Sequence, residues 1–453
     1  MFKRLLLNDL NQWLHKPNRK PLILRGARQV GKTTLVSLFA QQFTQFIALN
    51  LERQEERALF EQNYTIHELL EAIFFLKGKD RQQANTLLFI DEIQNSSAAV
   101  AMLRYCYENF PELPVIAAGS LLESLLDRHI SFPVGRVEYL RVHPLTFEEF
   151  LLAMGEEQAA NRLNQIPLPA FAHDKLLKLF HRYALIGGMP EIVQQYATHQ
   201  DLTQLRPLYD NLITTYLDDV EKYSPRESQT PVIRHVIQSA FREAGNRITL
   251  AGFGQSNYGS KDVSEAIQVL EKALLLQRCY PVTDTQLPLT PNLKKSPKLQ
   301  LLDTGLVNYF SGLQTDVFGT KDLNSLYGGR IIEHLVGQAI LATQSSMLFQ
   351  LHFWVREKNQ ANAEVDFVLP HGNKVIPIEV KSGATGRLRS LFQFMDTAEH
   401  GFAIRLYAGK LTQEDAVTLT GKPFKLLNLP YYLSGKLEGY LEWLLTEKQI
   451  EED

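Results

Sequence analysis

Eight residues near the start of the sequence, Gly26 to Thr33, have the pattern G-x-x-x-x-G-K-T of a phosphate-binding loop. Gly26 and Gly31 allow the backbone to curl so that its N–H groups point at phosphate oxygens. Lys32 supplies an ammonium for the β- and γ-phosphates, and Thr33 supplies a hydroxyl for Mg²⁺. The predicted nucleotide-binding residues are Gly26, Ala27, Arg28, Gln29, Val30, Gly31, Lys32, Thr33 and Thr34.

A pair of acids, Asp91 and Glu92, follows the apolar run Leu87-Leu88-Phe89-Ile90. This run predicts a buried strand, and ligands bind at the carboxyl ends of strands in open α/β sheets. We predict that Asp91 holds Mg²⁺ near Thr33 and that Glu92 orients a water for attack on ATP. A surface acid pair is the alternative, but a phosphate loop upstream of the strand favours the nucleotide site. ATP and Mg²⁺ are therefore the predicted cofactors.

Three further residues are candidates for work at the γ-phosphate. Ser120 follows a predicted strand and suits either contact with that phosphate or the N-cap of the next helix. Arg136 and Arg128 are candidates for an arginine that reaches the phosphates of a neighbouring subunit. The alternative for each arginine is a structural ion pair or a solvated side chain.

The composition excludes several classes of protein. The chain has 453 residues, 45% hydrophobic and 21% charged, with a formal charge of −3, so no global basic field indicates nucleic acid. Two cysteines, Cys106 and Cys279, indicate a reducing compartment without a disulfide framework. No apolar run is long enough to span a membrane. The apolar stretch near the start, Leu5-Leu6-Leu7, is too short for a signal peptide. We therefore expect a cytoplasmic protein with no membrane partner.

Changes in pattern along the chain predict four regions. Alternating strands and helices predict an α/β ATPase core with a parallel sheet over 1–150. Helical signals begin at about residue 144, with Thr146 as an N-cap, and a helical region is predicted over 151–225, with a break at Gly187-Gly188-Met189-Pro190. Over 226–315, three short helices at 232–244, 250–255 and 263–276, followed by a hairpin at 276–302, suggest a winged helix. Mixed α/β patterns return over 316–453.

The predicted winged helix has one strongly basic feature. Lys294, Lys295 and Lys298 lie between the two predicted strands of its hairpin, whereas its second long helix, 260–272, mixes acids with lysines. A basic tip suits contact with the DNA phosphate backbone better than sequence-specific reading. A surface for another subunit or a protein partner is the alternative.

Four residues near the end of the chain are spaced like a restriction-type nuclease site. Glu333 is on a predicted helix, Asp366 on an alternating strand, and Glu379 and Lys381 on the same face of the next strand. Such carboxylates suit a second divalent metal ion, and Lys381 would activate water. The pattern is similar to the PD-(D/E)xK superfamily, although Val365 replaces its proline. The alternative is a buried ion-pair network in a nuclease-like fold without cleavage.

Taken together, the phosphate loop, the Leu88–Glu92 strand, Ala118-Gly119-Ser120, Gly135-Arg136 and the Gly-Gly-Met-Pro-Glu segment at 187–191 resemble one family. This is a family of prokaryotic AAA-type ATPases whose C-terminal domain has unknown function. The resemblance implies an α/β fold with a P-loop AAA+ core, a helical lid, a winged helix and a PD-(D/E)xK-like domain. The Gly-Gly-Met-Pro break stands where many AAA proteins carry a sensor arginine, and no such arginine is evident here.

The order of these regions resembles that of the Holliday-junction branch-migration motors. The resemblance implies a DNA-associated ATPase that forms a homo-oligomer, such as a hexameric ring, and processes or repairs branched DNA. Two alternatives stay open: a nucleotide-gated, Mg²⁺-dependent nuclease in defence, and an ATP-dependent switch that assembles with a protein partner.

Overall fold

The computed structural model describes residues 2–119, 133–223, 226–312, 329–344, 346–356, 363–383 and 387–452. Its N-terminal region has strands β1 (Leu22–Arg25), β2 (Gln45–Asn50), β3 (Thr86–Asp91), β4 (Val115–Gly119) and β5 (Glu138–Arg141). The helices of this region are α1 (Leu7–Leu14), α2 (Lys32–Phe39), α3 (Gln54–Ala58), α4 (Ile66–Leu76) and α5 (Ser97–Asn109).

Within the described residues, these strands form one parallel sheet in the order β2-β3-β4-β1-β5. Every residue of β3 is buried, as its unbroken apolar run predicts for a strand covered on both faces. The strand β1 lies between β4 and β5, and α2 follows it directly after the phosphate loop. The prediction of an α/β region with a parallel sheet is confirmed.

A helical region follows the sheet, with α6 (Phe147–Ala153), α7 (Glu157–Leu163), α8 (His173–Ile186), α9 (Pro190–His199) and α10 (Arg206–Tyr223). Thr146 caps α6 as predicted, because its side chain accepts the N–H of Glu149. The predicted break separates α8 from α9. Gly187 there has a φ of 78°, and a Cβ would lie 2.1 Å from the Asp303 carboxylate. Glycine is therefore required at this position.

The remaining elements begin with α11 (Thr230–Arg242), α12 (Ser260–Lys272), β6 (Leu276–Val282), β7 (Lys298–Leu301), α13 (Thr304–Phe310) and α14 (Gly329–Ala342). They continue with β8 (His352–Val355), β9 (Glu364–His371), β10 (Lys374–Val380), α15 (Arg389–Thr397), β11 (Phe402–Tyr407), β12 (Thr412–Val417), β13 (Pro423–Pro430) and α16 (Leu437–Glu452). In the described residues, the strands form a mixed sheet in the order β12-β13-β11-β10-β9-β8-β6-β7. Of the helices that the structure describes, none combines the length and apolar character needed to cross a membrane.

The predicted hairpin is present, but it is not a separate module. The strands β6 and β7 pair in antiparallel fashion, with Leu276 opposite Leu301. The other edge of β6 pairs with β8, with Tyr280 opposite His352. The expected boundary between residues 315 and 316 therefore divides two parts of one sheet. The expected middle helix at 250–255 is only a short 3₁₀ turn, Phe253–Gln255.

The segment after β13 packs against the helical region. A 3₁₀ helix, Tyr431–Lys436, follows the strand, and the Tyr431 hydroxyl lies 2.5 Å from Nε2 of His181 in α8. The Tyr440 hydroxyl accepts the N–H of Leu168 at 3.0 Å. Both tyrosine rings are fully buried. The helices after the first sheet are thus held by residues from the far end of the chain.

Candidate functional site

The phosphate loop joins the end of β1 to the start of α2. Gly31 ends the loop with a φ of 88°, in the left-handed region that favours glycine. The first turn of α2 begins at Lys32, so free N–H groups of the helix and the loop lie together. This is the arrangement that binds phosphate at a helix N-terminus.

Lys32 is buried, and its ammonium donates to the carbonyl oxygens of Gly26 at 2.9 Å and Ala27 at 2.8 Å. Burial lowers the pKa of Lys32 to about 8, against the attraction of Glu92 and Asp91. A buried ammonium gains stability when an anion approaches. Lys32 is therefore suited to contact with a phosphate chain, as the sequence predicts.

Thr33 and Asp91 meet across the end of the sheet. The Thr33 hydroxyl donates to Oδ2 of Asp91 at 2.6 Å, although these residues come from α2 and β3. Burial raises the pKa of Asp91, and this hydrogen bond opposes the rise. A hydroxyl and a carboxylate are hard oxygen ligands of the kind that Mg²⁺ shares with nucleotide phosphates. The residues present therefore fit the predicted ion.

Glu92 stands directly after β3 with a left-handed φ of 52°. Its N–H donates to Oδ1 of Asp91 at 3.0 Å, and its carboxylate accepts a hydrogen bond from the side-chain amide of Gln94. The predicted catalytic acid thus has a fixed direction. Sequence reasoning missed Gln94, although its place two residues after Glu92 in the same turn was a usable signal.

The phosphate loop also contacts the helical region. Nε of Arg28 lies 2.7 Å from Oδ2 of Asp219 on α10, and the Tyr216 hydroxyl donates to the Arg28 carbonyl at 3.1 Å. Pro190, at the start of α9, approaches within 3.5 Å of the position that a Cβ on Gly31 would occupy. These contacts hold the loop against α9 and α10. Nothing in the sequence pattern pairs Arg28 with Asp219.

A second support lies behind the loop. Arg4 donates to the Val30 carbonyl at 2.9 Å, to the His143 carbonyl at 2.8 Å and to the Glu149 carboxylate at 3.0 Å. Its side chain is only 6% exposed. Arg4 therefore links the N-terminal segment, the loop and the start of α6, and sequence reasoning missed it.

The candidates for the γ-phosphate have different placements. Ser120 and Arg128 lie outside the described residues. Nε of Arg136 lies 2.5 Å from Oε1 of Glu108 on α5, and the arginine side chain is 39% exposed. An ion pair this exposed contributes little to stability. Arg136 can therefore exchange this partner for an anion at low cost.

Lys298 does not lie at an exposed hairpin tip, and this part of the sequence prediction is wrong. It is a buried residue of β7, with Nζ 2.5 Å from Oε1 of Glu333 and 2.6 Å from Oε1 of Glu364. Arg247 also lies 2.5 Å from Glu364. The sequence pattern does not show that Lys298 begins β7 and that its side chain reaches Glu333 of α14 and Glu364 of β9. Lys294 and Lys295 are exposed, as predicted.

The residues of the predicted second metal site include carboxyl groups whose pKa values are raised by burial and by repulsion from one another. Burial raises the pKa of Glu333 to about 8 and that of Glu379 to about 7, with the charge of Asp366 adding to both. Asp366 accepts the N–H of Val380 at 2.7 Å, and Lys381 lies 2.6 Å from Oε1 of Glu379. In the part of the chain that the structure describes, no group of three or more His, Cys, Asp or Glu residues is arranged to hold a metal ion.

The N-terminal region and the rest of the chain match different family models. Residues 18–151 match a family model described as an AAA domain, AAA_14. We call residues 18–151 the AAA domain. Two models described as domains of unknown function match the rest, DUF8612 over 177–317 and DUF4143 over 328–426. No curated protein matches the chain in sequence. The site built from Lys32, Thr33, Asp91 and Glu92 lies wholly within the AAA domain.

Several solved structures are similar to the chain at a low level. The Walker-type ATPase PABY2304 of Pyrococcus abyssi has a TM-score of 0.45 and 15% identity, over 69% of this chain and 96% of that one. The Orc1 protein of Aeropyrum pernix in complex with DNA has a TM-score of 0.27 and 15% identity, over 68% of this chain and 90% of that one. The signal-transduction ATPase PH0952 of Pyrococcus horikoshii has a TM-score of 0.29 and 12% identity, over 76% of this chain and 48% of that one.

Proposed function

We propose that the protein hydrolyses ATP in its AAA domain and passes the nucleotide state to the helical region. The observation that supports this proposal is the hydrogen bond from Thr33 to Asp91, because the two residues proposed to hold Mg²⁺ meet there, close to Lys32 and Glu92. When bound, Mg²⁺ would neutralise charge on the β- and γ-phosphates. Glu92, held by Gln94, orients the water for in-line attack, and Lys32 stabilises charge on the phosphates.

The phosphate loop contacts the helical region directly, so these contacts can pass the nucleotide state to the helices. Arg28 is bound by Asp219, and Pro190 packs beside Gly31. A phosphate chain in the loop brings negative charge close to Arg28 and competes with Asp219 for it. Hydrolysis would therefore change the strength of an ion pair between the AAA domain and α10. The absent sensor arginine is replaced in this proposal by an arginine of the loop itself.

The first test is the removal of the Lys32 ammonium. We expect the purified protein to release phosphate from ATP in the presence of Mg²⁺, and Lys32→Ala to lower that rate by at least about 100-fold. Lys178→Ala, at an exposed position on α8, is the matched control and should leave the rate unchanged. Equal rates in wild type and Lys32→Ala, measured by coupled phosphate release, would refute the proposal.

We also propose that the protein assembles with copies of itself and associates with DNA. Each of these two proposals rests on a different structural feature. Arg136, weakly held by Glu108, is the candidate that reaches a neighbour's nucleotide in a homo-oligomer or ring. The loop between β6 and β7 carries Lys294 and Lys295 on its exposed side, beside a Leu293 that is 70% exposed. Such a loop suits phosphate-backbone contact in the processing of branched DNA.

The DNA proposal is tested through this loop. We expect branched or duplex DNA at low salt to stimulate ATP hydrolysis, and Lys294→Ala with Lys295→Ala to weaken the stimulation without changing the basal rate. Lys175→Ala with Lys178→Ala removes the same charge elsewhere and should keep the stimulation. A hydrolysis rate that DNA leaves unchanged in wild type would reject this part of the proposal.

The acidic cluster near Lys298 supports a structural role better than DNA cleavage. The ammonium of Lys298 already pairs with Glu333, one of the four residues of the nuclease interpretation, and with the neighbouring Glu364. Cleavage that depends on Mg²⁺ or Mn²⁺ and disappears in Lys381→Ala would establish the nuclease alternative instead.

A further inference from the structure

A cavity of about 240 Å³ lies between the AAA domain, the helical region and the last part of the chain. Its walls come from the segment before α1, the exit of β5, α6, α8, α14 and the 3₁₀ helix Tyr431–Lys436. One water needs only about 10–15 Å³, so the space is large enough for an organic molecule. None of the phosphate-loop residues 26–34 lines it.

Most charges on the walls are paired with one another. Arg4 is bound to Glu149, and Lys436 lies 2.6 Å from Glu148. Arg141 differs, because no described residue forms an ion pair or a hydrogen bond with its guanidinium. Burial lowers the pKa of Arg141 to about 10, and the nearby charge of Arg25 lowers it further. An uncompensated cation at a buried wall favours an anion.

A second arginine lies beside Arg141 in the sheet. Arg141 ends β5 directly opposite Arg25, which ends β1. Like charges directly opposite one another in neighbouring strands destabilise a sheet. The carboxylate of Asp9 also lines the cavity, but it forms no ion pair with Arg141. Burial raises the pKa of Asp9 above its usual value.

Two polar groups on the same walls have spare hydrogen-bonding capacity. Nε2 of His143 and Oγ of Ser434 are both buried and have no partner among the described residues. The Ser434 side chain is 1% exposed. Burial, together with the charges of Arg141 and Arg4, lowers the pKa of His143 to about 3. The neutral imidazole can donate through Nε2 in one of its tautomers.

We propose that this cavity binds a small organic anion, whose carboxylate or phosphate head contacts Arg141 and His143. The remaining walls are mostly apolar and include Leu6, Phe147 and Ala339, so the ligand has an apolar body. Ser434 supplies a further hydrogen bond. The ligand is distinct from ATP because the cavity shares no wall residue with the phosphate loop.

Occupancy of this cavity would act on the AAA domain through Arg4. That side chain lines the cavity and donates to the Val30 carbonyl within the phosphate loop. It also holds Glu149, whose carboxylate accepts the N–H groups of Leu5 and Thr146. A ligand that moves the Arg4 side chain would therefore change its hydrogen bond to the phosphate loop at Val30.

The test is calorimetric titration with phenyl phosphate and with phenylacetate, and benzyl alcohol is the neutral control. Each titration is made with saturating Mg·ADP and is repeated on Lys32→Ala without nucleotide, so that binding in the phosphate loop is excluded. We expect at least one anionic probe to bind. Arg141→Met should weaken its binding by about 10-fold or more, and Ser434→Ala by about 3-fold. Arg405→Met, which removes a guanidinium from β11 outside the cavity, should leave binding unchanged.

The outcomes separate the two proposals. Preference for one probe shows whether the head is a phosphate or a carboxylate. Equal binding of benzyl alcohol, an unchanged affinity in both cavity variants, or no heat from either anion would overturn the proposal. Competition of the probe with ADP would also overturn it, because the cavity would then belong to the nucleotide site. ATP hydrolysis without probe binding would leave the ATPase proposal standing alone.

Discussion

Replacing Glu92 by Gln is expected to lower ATP hydrolysis by about 100-fold or more while ATP still binds. The amide has nearly the same shape as the carboxylate but cannot polarise the attacking water in the same way. Lys32, Thr33 and Asp91 keep their contacts, so the affinity for nucleotide should change little. Phosphate release measures the first quantity, and titration with a fluorescent ATP analogue measures the second.

Two comparisons make this result specific. Glu52→Gln changes an exposed acid of the AAA domain and should leave turnover unchanged. Gln94→Ala keeps the Glu92 carboxylate but removes its hydrogen bond, so we expect a smaller loss of about 10-fold. Normal turnover in Glu92→Gln would show that another residue orients the water.

Replacing Lys298 by Met is expected to destabilise the protein by about 3 kcal/mol, because removal of one partner leaves buried charge without compensation. Lys298 is the cation between Glu333 and Glu364, and its own side chain is 10% exposed. The methionine keeps most of the apolar stem. Urea unfolding followed by circular dichroism at pH 8 measures the change, and the exposed Lys294→Met should alter stability by less than about 0.5 kcal/mol.

The pH dependence of this loss has a definite sign. The pKa of Glu333 is already raised to about 8 in the folded protein, and removal of Lys298 raises it further. A carboxyl whose pKa is raised on folding takes up a proton more readily in the folded state, so the variant recovers stability as the pH falls from 8 towards 5. Addition of Glu333→Gln to Lys298→Met should restore part of the loss at pH 8. A loss that neither change reduces would indicate a packing defect.

The AAA domain was predictable because its chemistry lies in short segments with a required order. The phosphate loop, the buried β3 strand and the acids after it each follow from local spacing, and the sheet brings them together. The cap at Thr146 and the break at Gly187 were predictable for the same reason. Residues that act within one turn leave a pattern in the sequence.

Contacts between distant segments left no such pattern. Arg28 and Asp219 meet only because α10 folds back over the loop, and Arg4 reaches the loop from before α1. The sequence predicts Lys298 in a basic tip together with Lys294 and Lys295. In the structure, β6 also pairs with β8, so the hairpin is part of a larger sheet. The alternation of a strand shows which residues share a face, but it does not show which strand lies beside it.

The return of Tyr431 and Tyr440 to the helical region determines when this protein can complete its fold during synthesis. The AAA domain uses pairings within its own segment and can form as soon as it leaves the ribosome. Helix α8 cannot bury His181 against its partner until Tyr431 has been made. The helices beside the nucleotide site therefore reach their final packing only after Tyr431 and Tyr440 have been synthesised.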